Sequence, residues 1–142
     1  MLITGSCHCG NIAFRLNWTA KPAKIPARAC SCSFCQKRGG GWTSCPAGEL
    51  DIRLREPAQV SRYAFGTKTA EFLVCSRCGV VPVVTSLINN HLYAVVSVNA
   101  FDNVDASMIQ STPATFDGEA EEDRLARRAR NWISTVRYSG GA

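Results

Sequence analysis

Cys7-His8-Cys9-Gly10-Asn11-Ile12-Ala13-Phe14-Arg15-Leu16-Asn17-Trp18 joins a CxC turn directly to an extended segment. Ile12, Phe14, Leu16 and Trp18 alternate with Ala13, Arg15 and Asn17. That period of two puts the large apolar groups on one face of a β-strand. Further strands are expected over 49–54, 59–64, 70–74, 80–87 and 92–98, with Asn89-Asn90 as the turn between the last two. Pro82 should lie at a strand edge or bulge, and Pro22 and Pro26 should interrupt regular structure ahead of residue 30. Many short strands in regular succession favour a mainly β domain.

The chain has 142 residues and eight cysteines. Cys7 and Cys9 form CxC, Cys30, Cys32 and Cys35 form CxCxxC, Cys75 and Cys78 form CxxC, and Cys45 stands alone. Such short spacings suit several sulfurs converging on one ion, with Zn–S bonds of about 2.3 Å. A disulfide scaffold is the bland alternative. Cys7 and Cys9 complement Cys75 and Cys78 in ligand number, and a four-cysteine zinc site leaves no ordinary open position, so its role is structural. Gly10 and Gly79 ease the bends that such knuckles need. His8 competes as a ligand but fits a turn role better, and His91 reads as an ordinary surface or core residue. Gly39, Gly40 and Gly41 read as a bend beside the central cluster, since their spacing does not match a phosphate-binding loop. Cys45 is a buried thiol, a fourth ligand or a redox residue, with the buried thiol preferred.

Composition narrows the function classes. With 46% hydrophobic and 19% charged residues, wholesale disorder is excluded. The formal charge of +5 suggests an anionic partner, but one four-thiolate and one three-thiolate zinc would bring it to +2. This argues against nucleic acid, even though Arg124, Arg127, Arg128 and Arg130 are clustered. Residues 1–9 carry neither a basic leader nor a continuous apolar stretch. Apolar runs near 75–86 and 92–101 fall short of the roughly 20 residues of a bilayer span, so no membrane role and a cytoplasmic location are expected.

Toward the C-terminus, Glu119, Glu121, Glu122 and Asp123 precede the four arginines, an order favourable to a helix dipole. Leu125, Ala129, Trp132 and Ile133 can share one face. A short amphipathic helix should pack on the β domain. The same face could instead meet another subunit, giving a homodimer. Residues 1–138 are expected to form one domain and 139–142 a frayed tail.

Taken together, Gly5-Ser6-Cys7-His8-Cys9-Gly10, Cys30-Ser31-Cys32-Ser33-Phe34-Cys35 and Cys75-Ser76-Arg77-Cys78-Gly79 resemble the motifs of the glutathione-dependent formaldehyde-activating enzyme family, related to the centromere protein V group. Asn99-Ala100 and Phe116-Asp117-Gly118 are weaker points of likeness. The resemblance implies a zinc-containing, mainly β, Mss4-like fold with a short C-terminal helix. It implies that Cys7, Cys9, Cys75 and Cys78 hold a structural zinc, and that Cys30, Cys32 and Cys35 hold a second, catalytic one. The implied reaction is carbon–sulfur lyase chemistry on a small thiol or thiol adduct, in which glutathione and formaldehyde form S-hydroxymethylglutathione. Lys37 and Arg38, just beyond Cys35, are candidates to attract glutathione carboxylates, against the plainer reading of a solvated basic turn. The competing expectation is a noncatalytic zinc module that recruits a protein through a β edge or the C-terminal helix.

Overall fold

The computed structural model describes residues 1–139. Its strands are β1 (Leu2–Ser6), β2 (Ile12–Asn17), β3 (Ile25–Cys30), β4 (Trp42–Thr43), β5 (Glu49–Leu54), β6 (Val60–Tyr63), β7 (Glu71–Cys75), β8 (Val83–Ile88), β9 (His91–Ser97), β10 (Ile109–Ala114) and β11 (Thr135–Tyr138). Two α-helices join them, α1 (Ser33–Arg38) and α2 (Glu121–Asn131). The mainly β fold with a short C-terminal helix is therefore the observed one.

The alternation that begins at Ile12 is realised in β2, where Ile12, Phe14 and Leu16 are buried. β5 repeats it with Leu50, Ile52 and Leu54. These strands pair antiparallel inside a four-stranded sheet of order β1-β2-β5-β11. The remaining strands form a seven-stranded sheet, β10-β3-β4-β9-β8-β7-β6.

The larger sheet is covered on both faces. From β7, β8 and β9, Leu73, Val83, Ala94 and Val96 join Ile3, Ile12, Phe14, Leu16, Leu50 and Ile52 in the core between the sheets. Their neighbours Phe72, Val84 and Val95 point the other way, into a second cluster with Cys35, Trp42 and Trp132. A strand buried on both faces reads as a continuous apolar run. Asn89 and Asn90 both adopt positive φ, 51° and 63°, in the tight turn between β8 and β9 that their sequence anticipates.

Three expectations are corrected. Pro26 lies inside β3, because the short β4 pairs with β3 only at Arg28 and leaves one side of β3 free at the proline. Strands β1, β3, β4, β10 and β11 add to the anticipated set. β10 and β11 lie parallel to β3 and β5, a pairing between segments distant in sequence. In α2, Ala129 is exposed, and the inward stripe is instead Arg124, Leu125, Arg128 and Trp132. Ile133 follows the helix and exchanges backbone hydrogen bonds with Ala94 of β9, at 2.9 and 3.1 Å, which fixes the end of α2 to the sheet. Of the tail, Ser139 donates its backbone N–H to the Ile52 carbonyl, and residues 140–142 lie outside the described residues. No helix among the described residues is long and apolar enough to cross a membrane.

Candidate metal centres

The turn from β1 to β2 brings Cys7 and Cys9 beside Cys75, which ends β7, and Cys78, three residues on. The four sulfurs lie within 4.8 Å of one another, with Cys7 to Cys9 at 3.8 Å and Cys9 to Cys75 at 3.5 Å. Tetrahedral Zn–S bonds of about 2.3 Å demand sulfur separations of about 3.8 Å, so this set can hold a metal ion with little rearrangement. Each pair sits in a knuckle. Gly10 donates its backbone N–H to the Cys7 carbonyl at 3.1 Å and Gly79 to the Cys75 carbonyl at 2.8 Å, with φ of 85° and 80°. The Ile12 N–H donates to Cys7 Sγ at 3.3 Å. Because one pair comes from each sheet, an ion here would tie the two sheets together.

Charge within the cluster is uneven. Burial, reinforced by thiol contacts with Cys78, Cys9 and Cys75, pushes Cys7 up to about 12. Cys78 goes the opposite way: burial works against its thiolate, but backbone N–H groups of Val80 and Cys9 and the thiols of Cys75 and Cys7 bring it down to about 6. A cluster that shares protons so unequally releases them on binding a cation.

Cys30, Cys32 and Cys35 converge on the opposite face of the larger sheet, again with sulfurs within 4.8 Å. Cys30 ends β3. Cys32 is the N-cap of α1, its Sγ accepting the Cys35 N–H at 3.4 Å, so the CxxC spacing places a sulfur at the cap and another three residues into the helix. Gly39 closes α1 in the left-handed conformation, φ 73°, and returns its N–H to the Cys35 carbonyl at 2.7 Å. Gly40 leaves room for Trp42: a Cβ there would lie 2.6 Å from Trp42 Nε1 and 3.2 Å from Cys35 Sγ. Trp42 Nε1 donates to Cys35 Sγ at 3.3 Å. A hydrogen bond from Cys35 lowers Cys30 to about 5, while the same contact and burial raise Cys35.

Among the described residues this trio gathers no fourth cysteine, histidine or carboxylate. Cys45 is buried elsewhere, 3.5 Å from Thr19 Oγ1, and all eight cysteines are free thiols. His8 is exposed in its turn, and His91 packs at a tilt against Tyr93, ring centres 4.6 Å apart. The three cysteines open instead into a cavity of about 230 Å³. Its walls are of two kinds. Trp42, Phe65, Phe72 and Trp132 provide an apolar side, and Arg28, Arg124, Arg127 and Arg128 a basic one. An ion held by three sulfurs would thus keep a position facing a half-open pocket with a basic wall.

Lys37 and Arg38 end α1 and do not line this cavity; Arg38 borders a separate depression with Gly39, Gly40, Cys78 and Asn99. The basic groups that do face the cysteines were open to two signals. Arg28 stands two residues before Cys30, on the same face of a strand. Arg124, Arg128 and Trp132 recur every four residues along a helix. Read from composition alone, those arginines passed for dipole partners or a nucleic-acid patch.

Comparison with known proteins gives three matches. A profile of the glutathione-dependent formaldehyde-activating enzyme family matches residues 2–117. A Halomonas elongata protein provisionally named a glutathione-dependent formaldehyde-activating enzyme is 36% identical over 85 residues, 55% of this chain and 52% of that protein. The match therefore spans about half the length of that relative. The crystal structure of a Rhodobacter sphaeroides protein is similar with a TM-score of 0.53 at 26% identity, covering 77% of this chain and 99% of that one.

Proposed function

This chain belongs to the glutathione-dependent formaldehyde-activating enzyme family, and from that premise we propose that it is a zinc-dependent carbon–sulfur lyase that forms or cleaves the adduct of glutathione and formaldehyde. The observation that carries the reading is the cysteine trio, which among the described residues gathers no fourth protein ligand and opens into a cavity. The outer four cysteines hold a structural zinc in this reading, and Cys30, Cys32 and Cys35 a second.

When bound there, zinc supplies Lewis acidity that favours the ionised form of a substrate thiol. The protein's residues supply the rest. Cys30, Cys32 and Cys35 give the site three thiolates and leave one side free. Trp42 Nε1, donating to Cys35 Sγ, fixes that sulfur's orientation. The aromatic wall keeps water from one side of the site, where it would otherwise hydrate the aldehyde and solvate the thiolate. In the forward direction the thiol loses its proton, its sulfur bonds to the aldehyde carbon, and the carbonyl oxygen becomes an alkoxide that takes up a proton. Cleavage runs the same steps backwards, breaking the carbon–sulfur bond. Seven of the eight thiols lie in two clusters that can hold metal only in the reduced form, so a reducing compartment, the cytoplasm, is the location this reading calls for.

The test is kinetic. Protein verified to contain two zinc ions should accelerate S-hydroxymethylglutathione formation, followed by proton NMR. Cys32→Ser, with one zinc, should fall to the uncatalysed rate. No acceleration by the two-zinc protein would refute the lyase reading and favour a structural module.

A further inference from the structure

The basic wall of the cavity holds more positive charge than the protein itself neutralises. Glu119 occupies two of its arginines. Its Oε2 accepts from Arg127 Nε at 3.0 Å, and its Oε1 from Arg127 Nη2 at 3.1 Å and Arg124 Nε at 3.3 Å. Arg127 also lies over the Phe116 ring, 3.7 Å from its centre. Those two guanidinium groups are held by their own surroundings.

Arg28 and Arg128 have no carboxylate of their own, although Arg128 lies over the Trp132 ring, 5.1 Å from its centre. Arg128 is only 8% exposed. Its Nη1 donates to two neutral hydroxyls, Thr69 Oγ1 at 2.8 Å and Ser86 Oγ at 3.3 Å, and its Nε has no partner. Among the described residues no carboxylate lies within 4.0 Å of either Arg28 or Arg128. Asp117 is the acidic group lining the cavity, and it is exposed. Arg128 is buried and Arg28 half-buried, and a guanidinium so placed with no carboxylate in contact offers a planar fork that matches a carboxylate in two parallel hydrogen bonds.

We infer that Arg28 and Arg128 form a carboxylate receptor facing the cysteine trio, so that the protein selects thiols bearing a carboxylate over neutral thiols. This rests on the proposed lyase function for the identity of the sulfur ligand, but the receptor itself stands on the arginines. Arg28 lies within the family match, whereas Arg128, like the rest of α2, lies beyond residue 117, where that match ends. The arrangement places the substrate's charge on one wall and leaves its sulfur to the cysteines, which is how a binding group remote from the reacting atom orients it.

The test compares 3-mercaptopropionate with 3-mercaptopropionamide, which differ in charge but hardly in shape. Binding to the zinc-loaded full chain is read by tryptophan fluorescence, since Trp42 and Trp132 both line the cavity. The carboxylate should bind at least about tenfold more tightly than the amide, the scale of a charge-assisted hydrogen bond. Arg28→Gln and Arg128→Gln should each bring the two within about threefold, with zinc content and far-ultraviolet circular dichroism retained. Should Arg128→Gln fail to fold, Arg28→Gln and the unmutated preference decide. Equal binding of acid and amide by the unmutated protein, or a preference that survives Arg28→Gln unchanged, would overturn the receptor. Acid preference without accelerated adduct formation would remove the lyase reading and keep the receptor. Acceleration with acid and amide alike would do the reverse.

Discussion

Gly40 shows how much the central cluster depends on an absent side chain. Trp42 reaches Cys35 because nothing stands between them; a methyl group at residue 40 would sit 2.6 Å from the indole nitrogen and 3.2 Å from the sulfur. Cys35 is buried and cannot move outward without disturbing α1. Gly40→Ala should therefore displace the indole and spread the three sulfurs. Competition with a colorimetric chelator should show second-site zinc affinity lowered by at least about tenfold, with the outer zinc unchanged. Unequal proton sharing belongs to the same scale. Cys30 near 5 beside a raised Cys35 means that a nearly ionised sulfur and a firmly protonated one stand together until a cation takes both.

At the scale of elements, α2 builds the basic wall, and Glu119 just ahead of it sets which arginines are free. Hydrogen bonding from Arg127, with further help from Arg124, holds the Glu119 carboxyl below its ordinary value of 4.5. A carboxyl lowered in the folded state stabilises the fold above its unfolded value and loses that contribution as pH falls through the folded one. Glu119→Gln should thus lower Tm by about 3 °C at pH 7, and the gap should close on acidification below the ordinary glutamate range, as read by paired thermal scans. Sequence reading reached the existence of this helix and part of its inner face, since Leu125 and Trp132 do turn inward. Leu125, Ala129, Trp132 and Ile133 are the apolar residues, so they were the natural choice for its inner face, and Ala129 turns out exposed while Arg128 is buried. The cavity beneath rewards guanidinium groups, a circumstance visible only once β3 and β10 are in place. β2 and β5 were legible because their alternation is local. β10 and β11 were not, since each is defined by a parallel partner far away in the chain. Pro26 and Pro113 further disguised β3 and β10, being tolerated where one side of the strand is free or at the sheet's edge.

Across the whole molecule, the seven-stranded sheet separates two unequal centres. One joins the sheets through Cys7, Cys9, Cys75 and Cys78; the other lies on the opposite face, beside the cavity. The cysteine spacings made both clusters legible, because ligands of one ion must be close and short motifs keep them so. Their placement on opposite faces was not. It follows that Cys78→Ser should cost the fold: removing one ligand from the inter-sheet centre should produce loss of near-ultraviolet circular dichroism or a midpoint lowered by more than about 10 °C. Cys32→Ser should retain one zinc per chain and most of the stability. The central claim is that the cysteine trio keeps a coordination position for a substrate sulfur while the outer four do not. Cadmium-113 NMR of the cadmium-substituted protein tests it most directly. Two resonances are predicted, of which glutathione moves only one, toward the position of the four-sulfur centre, and that one is missing in Cys32→Ser. A glutathione titration that leaves both resonances in place would contradict it.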